Sequence, residues 1–121
     1  MARFGFKMSA ALTLGTIAVV SSAAIVHAQS RADWLASGES VTYDGYLLAD
    51  EGVYAGCDEN CADLDLYLYD ASSGELVASD TLADPNPVVA APYEGNFLIE
   101  VIMVACNADA CETTTDSDQG F

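Results

Sequence analysis

Apolar and polar residues alternate in short runs along most of this chain. Residues 63–70 are the clearest case: Leu64, Leu66 and Leu68 fall on one side of an extended backbone, and Asp65, Tyr67 and Tyr69 on the other. A period of two is the mark of a half-buried strand. Shorter runs precede it at Ser40–Tyr43 with Gly45–Leu48, and at Gly52–Ala55. The turn residues Ala71, Ser72, Ser73 and Gly74 lead into a strand over Glu75–Ser79, which makes a hairpin. Asp84, Pro85, Asn86 and Pro87 break the pattern, Val88–Ala91 forms a short strand stopped by Pro92, and Glu94, Gly95 and Asn96 turn the chain into a strand over Phe97–Ala105. Short strands separated by turns every ten or so residues predict an all-β fold, a small antiparallel β-sandwich.

The strand at 97–105 is apolar on both sides. Phe97, Ile99, Val101 and Met103 make one face; Leu98, Ile102 and Val104 make the other, broken only by Glu100. Either the strand is central and covered on both faces, with Trp34 and Leu35 of the 29–37 lead-in lying over the outer one, or Leu98, Ile102 and Val104 are a partner face. The first reading is favoured because uncovered apolar patches are the rarer case. Residues 112–121 carry no apolar period and read as a disordered acidic tail, which leaves the sandwich to residues 38–111.

The first 28 residues change the picture of compartment. Arg3 and Lys7 precede an uncharged apolar stretch, Met8–Val26, that closes on Val26, His27 and Ala28. This is the pattern of a signal peptide cut after Ala28, and it predicts a secreted or periplasmic protein. A membrane anchor is the competing reading, disfavoured by the Ala, Ser and Thr content and the cleavage-type ending, so no stable anchor is expected once the leader is removed. After cleavage Arg31 is the one basic side chain left against 19 acidic residues. Such a charge excludes nucleic acid as a partner and leaves cations or basic proteins, or serves solubility alone. The one histidine, His27, leaves with the leader. Without His or Lys there is no Ser-His or Cys-His catalysis, no imidazole metal site and no Schiff base. No enzymatic activity is expected, since paired carboxylates alone remain as an acid–base pair and a small domain has little room for a pocket.

Four cysteines in an exported chain predict two disulfides. Three residues separate Cys57 from Cys61 and four separate Cys106 from Cys111, so neither pair has the C-x-x-C spacing of redox or zinc sites. Each pair flanks a turn at a strand end, which favours local pairing; cross-linking of the two pairs is the alternative. Asp58, Asn60, Asp63 and Asp65 around the first pair supply enough oxygens to be candidate calcium ligands. The plainer alternative has Asp63 capping the loop and Asp58 and Glu59 solvated.

The stretch CADLDLYLYDASSGELVASD at 61–80, followed by PVVAAPYEGNFLIEVIMVAC at 87–106, resembles the bacterial pre-peptidase C-terminal domain, with Asp63, Asp65, Leu66, Leu68, Gly74, Gly95 and Val101 on the family pattern. LASGESVTYDGYLLADEGVYAGC at 35–57 is similar to the opening of that domain. The resemblance implies a jelly-roll-like β-sandwich, non-catalytic, in some members calcium-binding and in others adhering to a substrate. No enzyme domain is expected beside the module, a departure from the family's setting. The expected function is therefore binding or adhesion to an exported protein or polysaccharide, with a small acidic inhibitor or chaperone-like partner of an exported enzyme as the alternative.

Overall fold

A computed structural model describes residues 30–121; the expected leader at 1–28 lies outside the described residues. Eight strands follow in order: β1 (Arg31–Leu35), β2 (Ser40–Leu47), β3 (Gly52–Cys57), β4 (Cys61–Asp70), β5 (Leu76–Asp80), β6 (Val88–Ala90), β7 (Gly95–Cys106) and β8 (Cys111–Ser117). They form two antiparallel four-stranded sheets, β1-β8-β3-β6 and β2-β7-β4-β5. The pairs β1·β8, β2·β7, β3·β6 and β4·β5 are the successive rungs of one long hairpin whose closed end is the 71–75 turn. The further pairs β8·β3 and β7·β4 close that hairpin on itself. This wrapping is a jelly roll.

The predicted alternation is what fills the interior. Leu64, Leu66 and Leu68 of β4 and Phe97, Ile99, Val101 and Met103 of β7 are fully buried, and they face Leu35, Val53, Ala55 and Val89 of the other sheet. At the closed end of the hairpin Asp70 Oδ1 accepts from Ser72 N and Ser73 N at 2.9 and 3.0 Å, and Gly74 takes a φ of 75°. Glycine adopts that conformation at no steric cost.

Two expectations fail here. Residues 112–121 are not a disordered tail: Cys111–Ser117 is a strand between β1 and β3 in the middle of its sheet. Its inward residues are Cys111, Thr113, Thr115 and Ser117, all buried, while Glu112, Thr114 and Asp116 face out. The period of two is present but written in hydroxyl residues, which apolar patterning does not register; threonine is nonetheless a good strand former. Likewise the 29–37 lead-in is not a strap over β7. Arg31–Leu35 is an edge strand of the opposite sheet, Leu35 enters the core and Trp34 stands 63% exposed. The sandwich thus includes residues at both ends that the 38–111 boundary leaves out.

Both disulfides pair locally, Cys57–Cys61 and Cys106–Cys111, with Cα separations of 5.9 and 6.0 Å. Each spans the connection from one sheet to the other, β3 to β4 and β7 to β8. The two staples are adjacent, since Cys61 is in register with Cys106 and Cys57 with Thr113. Backbone bonds knit the loops together, Asn107 N to Asn60 O at 2.8 Å and Asp58 N to Glu112 O at 3.1 Å.

The chain end is tied at the other side. Glu51, 5% exposed, accepts from Leu48 N, Ser117 Oγ and Gln119 N at 2.8, 2.5 and 3.1 Å, which joins the β2–β3 turn to the residues after β8. Phe121 then lies against Tyr43 and beneath the Arg31 guanidinium, 5.1 Å from its ring centroid. Gly45 allows this close approach, because a Cβ there would stand 3.0 Å from the Phe121 ring.

Two stability outcomes follow from these ties. Glu51→Ala strands three donors in a buried site and is expected to cost about 2–4 kcal/mol in a urea melt, with Glu51→Gln milder because it keeps an acceptor. Replacing Cys57 and Cys61 together by Ala is expected to cost about 2 kcal/mol, the chain-entropy value for so short a loop, and replacing Cys106 and Cys111 about the same.

Candidate functional site

With the core sealed between the sheets, what remains for recognition is the two outer sheet faces and the loops. The outer face of β2-β7-β4-β5 carries Leu98, Ile102 and Val104 on its central strand β7. Among the described residues no further element covers it: Leu98 and Ile102 are half-buried between their neighbours, and Val104 is 44% exposed. Across the register, Leu98 lies between Asp44 and Tyr69, Glu100 between Thr42 and Tyr67, and Ile102 between Ser40 and Asp65. The Tyr67 and Tyr69 rings stack with centroids 6.3 Å apart, and Tyr69 Oη donates to Glu100 Oε1 at 3.0 Å. The face is therefore an apolar and aromatic centre set among carboxylates.

The candidate calcium ligands separate into two groups. Asp58, not Asp63, caps the disulfide loop: its Oδ1 accepts from Asn60 N at 3.0 Å and its Oδ2 from Glu112 N at 2.9 Å. Asp63 and Asp65 point outward from β4, each with an enclosed Oδ1 that has no hydrogen-bond partner. No group of three or more His, Cys, Asp or Glu side chains is poised to hold a metal among the described residues. Burial raises the Asp65 carboxyl above its usual range, with the Asp63 and Asp80 charges adding to the rise.

Elsewhere, tyrosine hydroxyls do the work that basic residues do in other proteins. Tyr43 donates to Asp33 at 2.5 Å, Tyr93 to Asp70 at 2.5 Å and Tyr46 to Glu94. The Tyr93 hydroxyl, then Ser72 and the 72–73 backbone, hold Asp70 well below the usual carboxylate range. Tyr43 is pushed above its ordinary value by burial first and by Asp33 second. Sequence reading found the carboxylates but not these partners, because Tyr43 and Asp33, or Tyr93 and Asp70, meet only after the jelly roll closes.

The outer face of β1-β8-β3-β6 was not anticipated as a site. It holds an open trough of about 480 Å³ lined by Tyr54, Gly56, Asn86, Val88, Thr114 and Asp116 among others. The only sequence signal for it was the exposed side of β8, hidden in residues read as a tail.

The class so defined is a disulfide-stapled jelly-roll β-sandwich with two open sheet faces. No family model matches the chain, and no curated protein matches it. Among solved structures it is similar to PliG of Aeromonas hydrophila, a periplasmic lysozyme inhibitor of g-type lysozyme, at 12% identity and a TM-score of 0.48 over 76% of this chain and 87% of that one. A likeness at that level carries no functional argument.

The carboxylates give opposite pH signatures. Asp65, raised in the fold, costs stability above its folded pKa, and the cost is relieved as pH falls through that value. Asp70, depressed in the fold, contributes stability that is lost as pH falls below the unfolded value of about 3.9. Asp65→Asn is expected to raise the melting temperature at pH 7 and to lose that advantage by about pH 4, as scanning calorimetry at several pH values would show. Failure to stabilise at pH 7 without added cations would mean that the pair of enclosed oxygens carries no net strain.

Proposed function

We propose that this is an exported, non-catalytic binding module, and that the outer face of β2-β7-β4-β5 docks a basic exported protein. The observation that carries the reading is that face itself: Leu98, Ile102, Val104, Tyr67 and Tyr69 form an apolar and aromatic centre interrupted by Glu100, with Asp44, Asp63 and Asp65 around them. Protein interfaces combine an apolar, tyrosine-rich centre with a polar rim, and the sign of the rim selects the partner. Here the rim is acidic, and the one basic side chain among the described residues, Arg31, is held against Phe121. The two disulfides fit an oxidising compartment, secreted or periplasmic.

Binding and adhesion are also what the resemblance to pre-peptidase C-terminal domains implies. The acidic rim adds a charge preference, which favours inhibition or chaperoning of a basic exported enzyme over adhesion to a neutral polysaccharide. Calcium is not needed for this reading.

Passing the native exported fraction over the immobilised protein should retain basic proteins that elute with rising salt. Ile102→Lys, on the outer face and outside the core, is expected to weaken retention by about 2 kcal/mol, roughly thirtyfold, with little change in melting temperature. Retention that is insensitive both to salt and to Ile102→Lys would sink the proposal.

A further inference from the structure

The second open face has a different shape. On β1-β8-β3-β6 the residues across the middle row are small: Ala32 is in register with Thr114, and Thr114 with Gly56. The next row rises to Asp116, Tyr54 and Val88, again in register. On the other side of the small row stands Trp34, opposite Glu112. The result is a trough floored by backbone and small side chains, with Tyr54, Asp116 and Val88 on one bank; Trp34 and Glu112 stand one row beyond its lining. The Tyr54 ring is fixed from within, since its hydroxyl donates to Ser117 O at 3.3 Å. Asp116 engages Ser117 N through Oδ1 at 2.8 Å. Four strands spaced about 4.8 Å apart give a trough about 14 Å long, the reach of four or five extended residues.

We propose that this trough is a second binding surface, which takes an extended peptide segment bearing arginine side chains. A planar guanidinium stacks on exposed aromatic faces and pairs with a carboxylate in the same plane of approach; Tyr54 with Asp116 supplies that combination in the trough, and Trp34 lies in register with Glu112 one row beyond it. Thr114 and Asn86 offer hydrogen bonds to the peptide backbone between them. The trough is open along its length, which suits a chain rather than an enclosed small molecule. Charge selects among chains, because the described residues carry 19 carboxylates, of which only Glu51 is buried, and offer no free basic patch to an anionic one. The site lies on the opposite side of the sandwich from the β7 face and stands independently of whether that face binds a partner.

The test is titration of the ¹⁵N-labelled protein, purified from the exported fraction of a bacterial host, with a nona-arginine peptide at about 150 mM salt, a concentration at which diffuse surface attraction is largely screened. Nona-lysine and a neutral chitin oligosaccharide serve as comparisons. Amide shifts are expected at Tyr54, Gly56, Thr114 and Asp116, with tighter binding of arginine than of lysine. Gly56→Val fills the trough floor, where an added Cβ would meet only Asn86 Oδ1 at 3.7 Å, so the fold should be kept. It is expected to weaken nona-arginine binding about tenfold, and Asp116→Asn, which preserves shape, by about threefold. Ile102→Lys, which disables the β7 face, should leave the titration unchanged, so the two proposals fail separately. Shifts spread evenly over the acidic surface, equal affinity for arginine and lysine, a Gly56→Val protein that binds as well as the parent, or occupation of the trough by the oligosaccharide would each overturn the inference.

Discussion

Everything in this fold depends on β8 sitting between β1 and β3. Without that strand the sheet opposite β2-β7-β4-β5 would fall into a lone edge strand, Arg31–Leu35, and the short β3·β6 pair. Of the two pairs that roll up the long hairpin only β7·β4 would remain, and the buried faces of β4 and β7 would lose much of their cover. The staples act at this point. Cys106–Cys111 holds the entrance to β8, and Cys57–Cys61 holds the strand against which β8 pairs. At its far end Glu51 grips Ser117 and Gln119. A strand with hydroxyl residues facing the interior gains little from apolar burial, so covalent and hydrogen-bonded ties at both ends supply what its side chains do not.

The second constraint is electrostatic. A small domain with 19 carboxylates and one described basic residue cannot neutralise itself with ion pairs. It turns instead to neutral donors: four of the six tyrosines give their hydroxyls to carboxylates, and turn aspartates such as Asp58 and Asp70 take backbone N–H groups. These bonds leave the net charge intact. The repulsion that remains is a standing cost in the free protein, and a basic partner relieves it. Docking of the proposed basic partner would therefore gain twice, from new contacts and from reduced self-repulsion.

Legibility in the sequence followed apolar content. β4 and β7 were readable almost to the residue because Leu64, Leu66, Leu68 and Phe97, Ile99, Val101, Met103 alternate cleanly, and the outward Leu98, Ile102 and Val104 were found for the same reason. β8 has the same period in Cys111, Thr113, Thr115 and Ser117 but no aliphatic side chain to reveal it. Trp34 misled in the opposite way: a bulky apolar residue suggested docking, yet its place on an edge strand turns it to solvent while its neighbour Leu35 goes in. Local pairing of the cysteines could be argued from spacing, whereas their adjacency depended on the β4·β7 register. Asp58 rather than Asp63 caps the loop for a similar reason, since the N–H group from which Asp58 Oδ2 accepts belongs to Glu112, far along the chain.

Misreading β8 also hid half of the surface on which binding can occur. Once residues 112–116 are a strand, their outward side chains become the middle of a sheet face, and Glu112, Thr114 and Asp116 gain neighbours in Trp34, Gly56 and Tyr54. Among the described residues no helix or insertion lies over either sheet of this jelly roll, which leaves two broad faces to use. Here they differ in kind. One is an apolar centre with an acidic rim, suited to a folded surface; the other is an open trough with Tyr54 and Asp116 on one bank, suited to an extended chain. Both carry the same sign of charge. A partner that presents a basic folded surface and a basic loose segment could engage both faces only by wrapping around an edge of the sandwich, or through two copies. Because linked sites raise affinity only when geometry lets both be occupied, the length of that loose segment would decide whether the two faces act together or as separate modules.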